Sequence, residues 1–299
     1  MAESITAIPP TPAPTVGAST AFPRRASFLH QITRNRLVLS GMIMAVLLVA
    51  VAVFASLISP YDPGAVDVTA SLQGPTLKHL FGTDRFGRDL LSRVIYGSRV
   101  SLGIGFVSVA ASMVMGSLLG LIAGYFGRGW DTVFGRLMDI LFSFPLLLLA
   151  IAIAGMLGPG ISNAIVAISI VYTPFFFRVA RGPTLTEREK EYVQAARAIG
   201  AGNGRILWRH ILPNLLSPIL VQASVTVAYA ILTEASLSYL GLGTPILTPS
   251  WGTTLSEGRT YLQLAPWISI FPGIAIMLAV LAFNLLGDGL RDLLDPYMK

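Results

Sequence analysis

Six apolar blocks leave this chain few folds to choose from: Leu37–Ile58, Val100–Ala123, Leu137–Leu157, Ile161–Phe177, Leu215–Leu240 and Ile268–Leu286. A helix needs roughly 20 apolar residues to cross a bilayer. Backbone in hydrocarbon must satisfy its own hydrogen bonds, so these blocks predict an all-α polytopic membrane protein with six transmembrane helices. Composition agrees. Of 299 residues, 54% are hydrophobic and 12% charged, about half the charge of an average soluble domain. The fourth block is the shortest and contains Pro174, and the fifth is long enough to tilt or to end irregularly. Pro145, Pro174, Pro218 and Pro272 lie in or near the blocks, and each invites a kink by removing a helix hydrogen bond.

Orientation follows from Lys and Arg, which accumulate in cytoplasmic loops. With the N-terminus inside, the outer loops hold Lys78, Arg85, Arg88, Arg93, Arg99 and Arg259, and the other 15 of the 21 basic residues lie inside. Both termini are therefore expected in the cytoplasm, and the net charge of +6 is ascribed to basic inner loops, not to nucleic acid. Residues 1–36 read as a cytoplasmic tail. Its first part is rich in Pro, Ala, Thr and Ser, a composition expected to stay disordered. Residues 37–299 form the membrane domain, with a cytoplasmic loop over 178–213.

Absences narrow the chemistry. There is no cysteine, and His30, His79 and His210 have no ligand spacing, so no metal site is expected. No G-x-x-x-x-G-K-[ST] occurs. Lys78, Lys190 and Lys299 are the only lysines and none follows glycine, so the chain lacks the loop that cradles nucleotide phosphates.

Four features carry functional meaning. The second block has small residues at every fourth position: Ser108, Ser112, Gly116, Gly120 and Gly124. This flat face suits close helix packing, either within the chain or against a second membrane subunit or a translocation path. Glu234 falls near the outer end of the fifth block, where a structural role and an outer gate both remain open. Asp139 and Arg178 lie near inner span ends and read as anchors. In the first outer loop, Leu90, Leu91, Val94 and Ile95 share a helical face that excludes Arg88, Asp89 and Arg93. This pattern predicts an interfacial helix.

The inner loop is the most patterned part. Thr186 and Glu189 fit a capping box, and Tyr192, Ala195, Ala196 and Ile199 recur at i, i+3, i+4 and i+7. Gly200, Gly202 and Gly204 end this helix in a turn, and RILWRHIL leads into Pro213 at the start of the fifth span. An apolar stripe of this kind suits a groove on another protein or, alternatively, the lipid surface. The acidic residues from Glu187 to Glu191 argue against lipid.

These residues resemble the cytoplasmic loop motif of binding-protein-dependent ABC transporter permeases: EAA, three residues, glycine, nine residues, then I-x-L-P. Gln194, Ala195 and Ala196 take the EAA positions, Gly200 the glycine, and Leu212 and Pro213 the end. Gln194 departs from the acidic residue, and His210 from the isoleucine. FGTDRFGRDLLSRVIYGSRVSLGIG (81–105), EASLSYLGLG (234–243) and LGDGLRDLLDP (286–296) resemble the C-type subunit of the dipeptide/oligopeptide/nickel permease family. That resemblance implies the type I importer permease fold in the bacterial inner membrane. It also implies a non-catalytic subunit that forms half of a pore with a homologous second permease. Two cytoplasmic ATPase subunits would bind ATP and Mg, and an extracytoplasmic binding protein would deliver peptides, or alternatively nickel complexes or glutathione. The loop would then couple ATPase to permease. A secondary transporter would instead place coupling acids deep in its spans, and none is seen there.

Overall fold

A computed structural model describes residues 36–245 and 247–294. The tail expected over 1–36 lies outside these residues, apart from its last one. Among the described residues the chain is helical and forms no strand, with one isolated bridge between Thr83 and Asp89. The helices are α1 (Arg36–Val53), α2 (Ala55–Ile58), α3 (Leu90–Phe126), α4 (Arg128–Phe142), α5 (Leu146–Leu157), α6 (Ile161–Glu187), α7 (Glu191–Ala198), α8 (Asn203–Ile206), α9 (Leu212–Tyr239), α10 (Trp251–Arg259) and α11 (Trp267–Leu294). A short 3-10 turn spans Val68–Ala70, and a π-helical turn, Leu207–Ile211, joins α8 to α9.

Four continuous helical stretches among these residues are long and apolar enough to cross a membrane: α3, α6, α11 and the run Asn203–Tyr239. The third apolar block is not one straight helix. It breaks between α4 and α5, which meet at 94°. Pro145 is the cause, because a residue before proline is driven out of the α region and Phe144 cannot continue the helix. The first block gives an 18-residue helix that ends at Val53.

Two other expectations are corrected. Thr186 does not cap a new helix, because α6 runs on through Glu187 and the next helix starts at Glu191 with Lys190 at its N-cap. The stretch around Leu90–Ile95 is not a separate interfacial helix but the first turns of α3, capped by the Asp89 carboxylate, which accepts from Ser92 N at 2.8 Å.

The core is built on α3 against α6, and the small-residue stripe faces that partner. Ser112 Oγ donates to the Ser169 carbonyl at 2.9 Å, and Ser169 Oγ donates back to the Ser108 carbonyl at 3.3 Å. A Cβ on Gly116 would lie 2.4 Å from the Thr173 carbonyl oxygen, one on Gly120 2.4 Å from that of Phe177, and one on Gly124 2.8 Å from Thr184 Cβ. Backbones this close gain dispersion along the whole contact. Helix α9 packs on α3, α6 and α11, and α11 packs on α1.

Candidate functional site: the amphipathic segment and the buried charged cluster

At one end of the bundle α7 projects from the spans and is tied back at several points. Val193 and Ala196 are buried, in a cluster with Ile206, Ile211 and Leu215. Tyr192, Ala195 and Ile199 of the expected stripe face outward, Ile199 at 87% exposure, and Trp208 of the π turn lies open beside them. A helix of two turns can present either of two adjacent stripes. The one containing Val193 is buried because it meets the α9 core.

The turn after α7 has a complete C-cap. Gly200 N–H donates to the Arg197 carbonyl at 2.9 Å and Ala201 N–H to the Ala196 carbonyl at 3.0 Å, with Gly200 at φ +84°. This is a Schellman motif, and the left-handed position is why glycine stands there. Gln194 uses its amide as a donor, bonding the Glu189 carbonyl at 2.9 Å. An ionised glutamate could not do this. Leu212 and Pro213 open α9 directly after the π turn, whose wider loop suits a proline that lacks an N–H.

Three polar clamps hold the segment. Arg188 donates to the carbonyls of Gly124 at 2.7 Å and Tyr125 at 3.4 Å, at the end of α3. Tyr125 donates to Asn203 Oδ1 at 2.8 Å, and the Arg197 guanidinium lies 5.2 Å from its ring centre. Tyr192 donates to the Glu187 carboxylate and accepts from Asn214 Nδ2 at 3.0 Å, so one hydroxyl links the end of α6 to the start of α9. Burial and the Glu187 carboxylate push the Tyr192 phenol up to about 12, which keeps it a donor at physiological pH. These bonds tie α7 and its flanks to α3, α6 and α9 together.

At the opposite end, Glu234 is fully buried in α9. Its Oε1 accepts from Ser238 Oγ at 2.7 Å and Thr244 Oγ1 at 3.3 Å, and Ser238 Oγ accepts from Thr244 N at 2.9 Å. Gly243 is required there, since a Cβ would lie 2.3 Å from Ser238 Oγ. The residues of EASLSYLGLG thus fold the end of α9 back on itself.

Beside it lies a cluster that sequence reasoning missed. Arg88 and Arg93, expected on a polar outer face, are buried. Arg88 donates to Asp84 Oδ2 at 2.6 Å and Glu257 Oε2 at 2.8 Å, and Arg93 to Glu257 Oε1 at 3.1 Å. His79 Nδ1 and Asp89 Oδ1 are 2.9 Å apart. These bonds bolt the loop before α3 to α10. The only hint in the sequence was the density of charge in FGTDRFGRDLLSR. Among the described residues, no group of three or more His, Asp or Glu is placed to hold a metal.

The fold is that of a multi-pass helical membrane protein with a clamped amphipathic segment at one end of its bundle. Residues 116–299 match the family described as binding-protein-dependent transport system inner membrane component, and the chain belongs to that family. It is an ABC importer permease subunit. Residues 25–75 match the N-terminal TM domain of oligopeptide transport permease C. The chain is 46% identical to the dipeptide transport system permease protein DppC of Alkalihalophilus pseudofirmus, over 97% of this chain and 95% of that protein. It is 44% identical to the di/tripeptide transport system permease protein DppC of Pseudomonas aeruginosa, over 91% and 92%. It is also 44% identical to the glutathione transport system permease protein GsiD of Pectobacterium atrosepticum, over 91% of each. Its fold is similar to that in an inward-facing structure of the MetNI methionine ABC transporter, with a TM-score of 0.56 and 20% identity over 68% of this chain and 97% of that chain.

Proposed function

We propose that this chain forms half of the translocation path of a peptide importer, paired in the bacterial inner membrane with a second, homologous permease. Six spans place both termini in the cytoplasm. Two ATPase subunits, which bind the ATP and Mg, dock on the segment from Tyr192 to Pro213. An extracytoplasmic binding protein delivers di- or oligopeptides, or a related small peptide such as glutathione, to the opposite face, where Glu234 and its hydroxyl partners hold the outer gate.

The observation that carries this reading is the coupling segment. It exposes Ile199 and Trp208 to a partner while Val193 and Ala196 wedge into the spans. Exposed apolar anchors on a rigid support are what a docking partner needs. The test is to assemble the chain with its ATPases, second permease and binding protein in proteoliposomes and to measure ATP-driven uptake of what the binding protein retains on purification. Uptake of a peptide supports the reading. Retention of a non-peptide cargo, or uptake independent of the ATPases, refutes it. Topology is tested by reporter fusions active only outside the cytoplasm, which should be silent after Lys299 and active after Gly74.

A further inference from the structure

Helix α4 has three faces. Phe134, Met138 and Leu141 pack on Leu119, Ala123 and Phe177. A second face, with Trp130, Val133, Leu137 and Ile140, is apolar and exposed. The third is polar: Asp131, Gly135, Arg136 and Asp139 border a cavity of about 320 Å³ whose other wall includes Arg178 and Arg181 of α6. Arg181 forks onto Asp131, with its second bond at 2.7 Å. Arg178 donates to Asp139 at 3.3 Å, and these two side chains are 57% and 61% exposed.

Depth makes this unusual. Gly120 of α3 seats on Phe177 and Ala180, which places Arg178 level with Gly120. Helix α3 carries no charged residue beyond Arg99 and runs apolar to Phe126. Arg178 and Asp139 therefore sit about six residues, or roughly 9 Å, inside the apolar end of α3. Exposed ions at this depth do not face hydrocarbon; ionisable residues within spans face protein or water-filled cavities.

We infer that this polar face of α4 and α6 lines the inner end of the translocation path and draws the carboxylate of its cargo. The inference rests on the reading of the chain as half of a pore. Arg178 and Arg181 stand in pairs with Asp139 and Asp131, and Arg136 adds a third guanidinium, so the lining carries an excess positive charge and favours an anionic group. Exposed pairs of this kind are weak, and the carboxylate of a peptide can exchange into them and leave again. The apolar second face of α4 then turns to lipid.

The chain has no cysteine, which permits a direct test. Thr132→Cys and Gly135→Cys report on the polar face; a Cβ at Gly135 meets nothing within 4 Å. Val133→Cys and Leu137→Cys report on the apolar face. Each variant is assembled with its partners in inside-out vesicles without nucleotide and treated with cationic or anionic water-soluble methanethiosulfonates. The polar-face thiols should react at least about tenfold faster than the apolar-face thiols, and the anionic reagent should outpace the cationic one on the polar face, since a lining with excess positive charge concentrates anions. Equal or reversed labelling of the faces overturns the lining, and equal rates for the two reagents or a preference for the cationic one overturns the attraction for carboxylate. ATP-driven uptake by the unlabelled, cysteine-free parent reports separately on the importer reading, so the two can fail independently.

Discussion

Substitution of Gly200 probes the coupling segment most cleanly. The residue holds φ +84°, and a Cβ added there meets no atom within 4 Å. Any cost is therefore backbone strain, not crowding. An L-residue in the left-handed region is strained by about 1–2 kcal/mol. Replacing glycine with alanine recovers about 0.4–1 kcal/mol by restricting the unfolded chain, which leaves about 0.5–1 kcal/mol against Gly200→Ala. A β-branched side chain lies nearer the top of the range of about 1–3 kcal/mol for strained backbone, so Gly200→Val opens the Schellman turn in a several-fold larger fraction of molecules. Asparagine tolerates this conformation. The expected order of damage is Val, then Ala, then Asn. Because the turn lies outside the spans, the loss should appear in ATPase association, in cargo-stimulated hydrolysis and in uptake, with membrane insertion retained. The assay is subunit stoichiometry, hydrolysis and uptake of the purified, assembled transporter. If Gly200→Val changes none of the three, the segment is not the coupling element. If Gly200→Asn is as damaging as Gly200→Val, backbone conformation is not what the site requires.

Three further outcomes are expected. Arg93→Met removes a cation that is 1% exposed beside Glu257 and Asp84 and should destabilise the outer end by about 3–5 kcal/mol, the usual cost of breaking a buried ionic network; thermal unfolding of the purified complex measures it. Gly120→Val drives a Cβ to 2.4 Å from the Phe177 carbonyl oxygen and should cost about 1–3 kcal/mol by overpacking, whereas Gly103→Ala, with nothing within 4 Å, should be near neutral in the same assay. Tyr192→Phe removes the hydroxyl between Glu187 and Asn214 and should cost no more than about 1 kcal/mol of stability at this partly exposed position; the larger effect should be fewer cargo molecules moved per ATP hydrolysed, and an unchanged ratio would show that the link transmits no force.

Several features were legible in the chain before any coordinates. Block length and apolarity alone demanded helices, because hydrocarbon offers the backbone no other partner. The glycine after a short amphipathic pattern marked a helix end, and Pro213 marked a helix start, because both act through local backbone geometry. Other features depended on residues far apart. The face of α7 that is buried was settled by where α9 lies, since Val193 and Tyr192 fit a two-turn periodicity equally well. Arg88 and Arg93 looked like solvent-facing charge until α10 brought Glu257 to them from more than 160 residues away. The pairing of Asp139 with Arg178 likewise follows from how α4 packs between α3 and α6, whereas the break at Pro145 is a local effect of the proline. Local conformational preferences act over a few residues and survive in any context; burial and charge pairing exist only once distant elements meet.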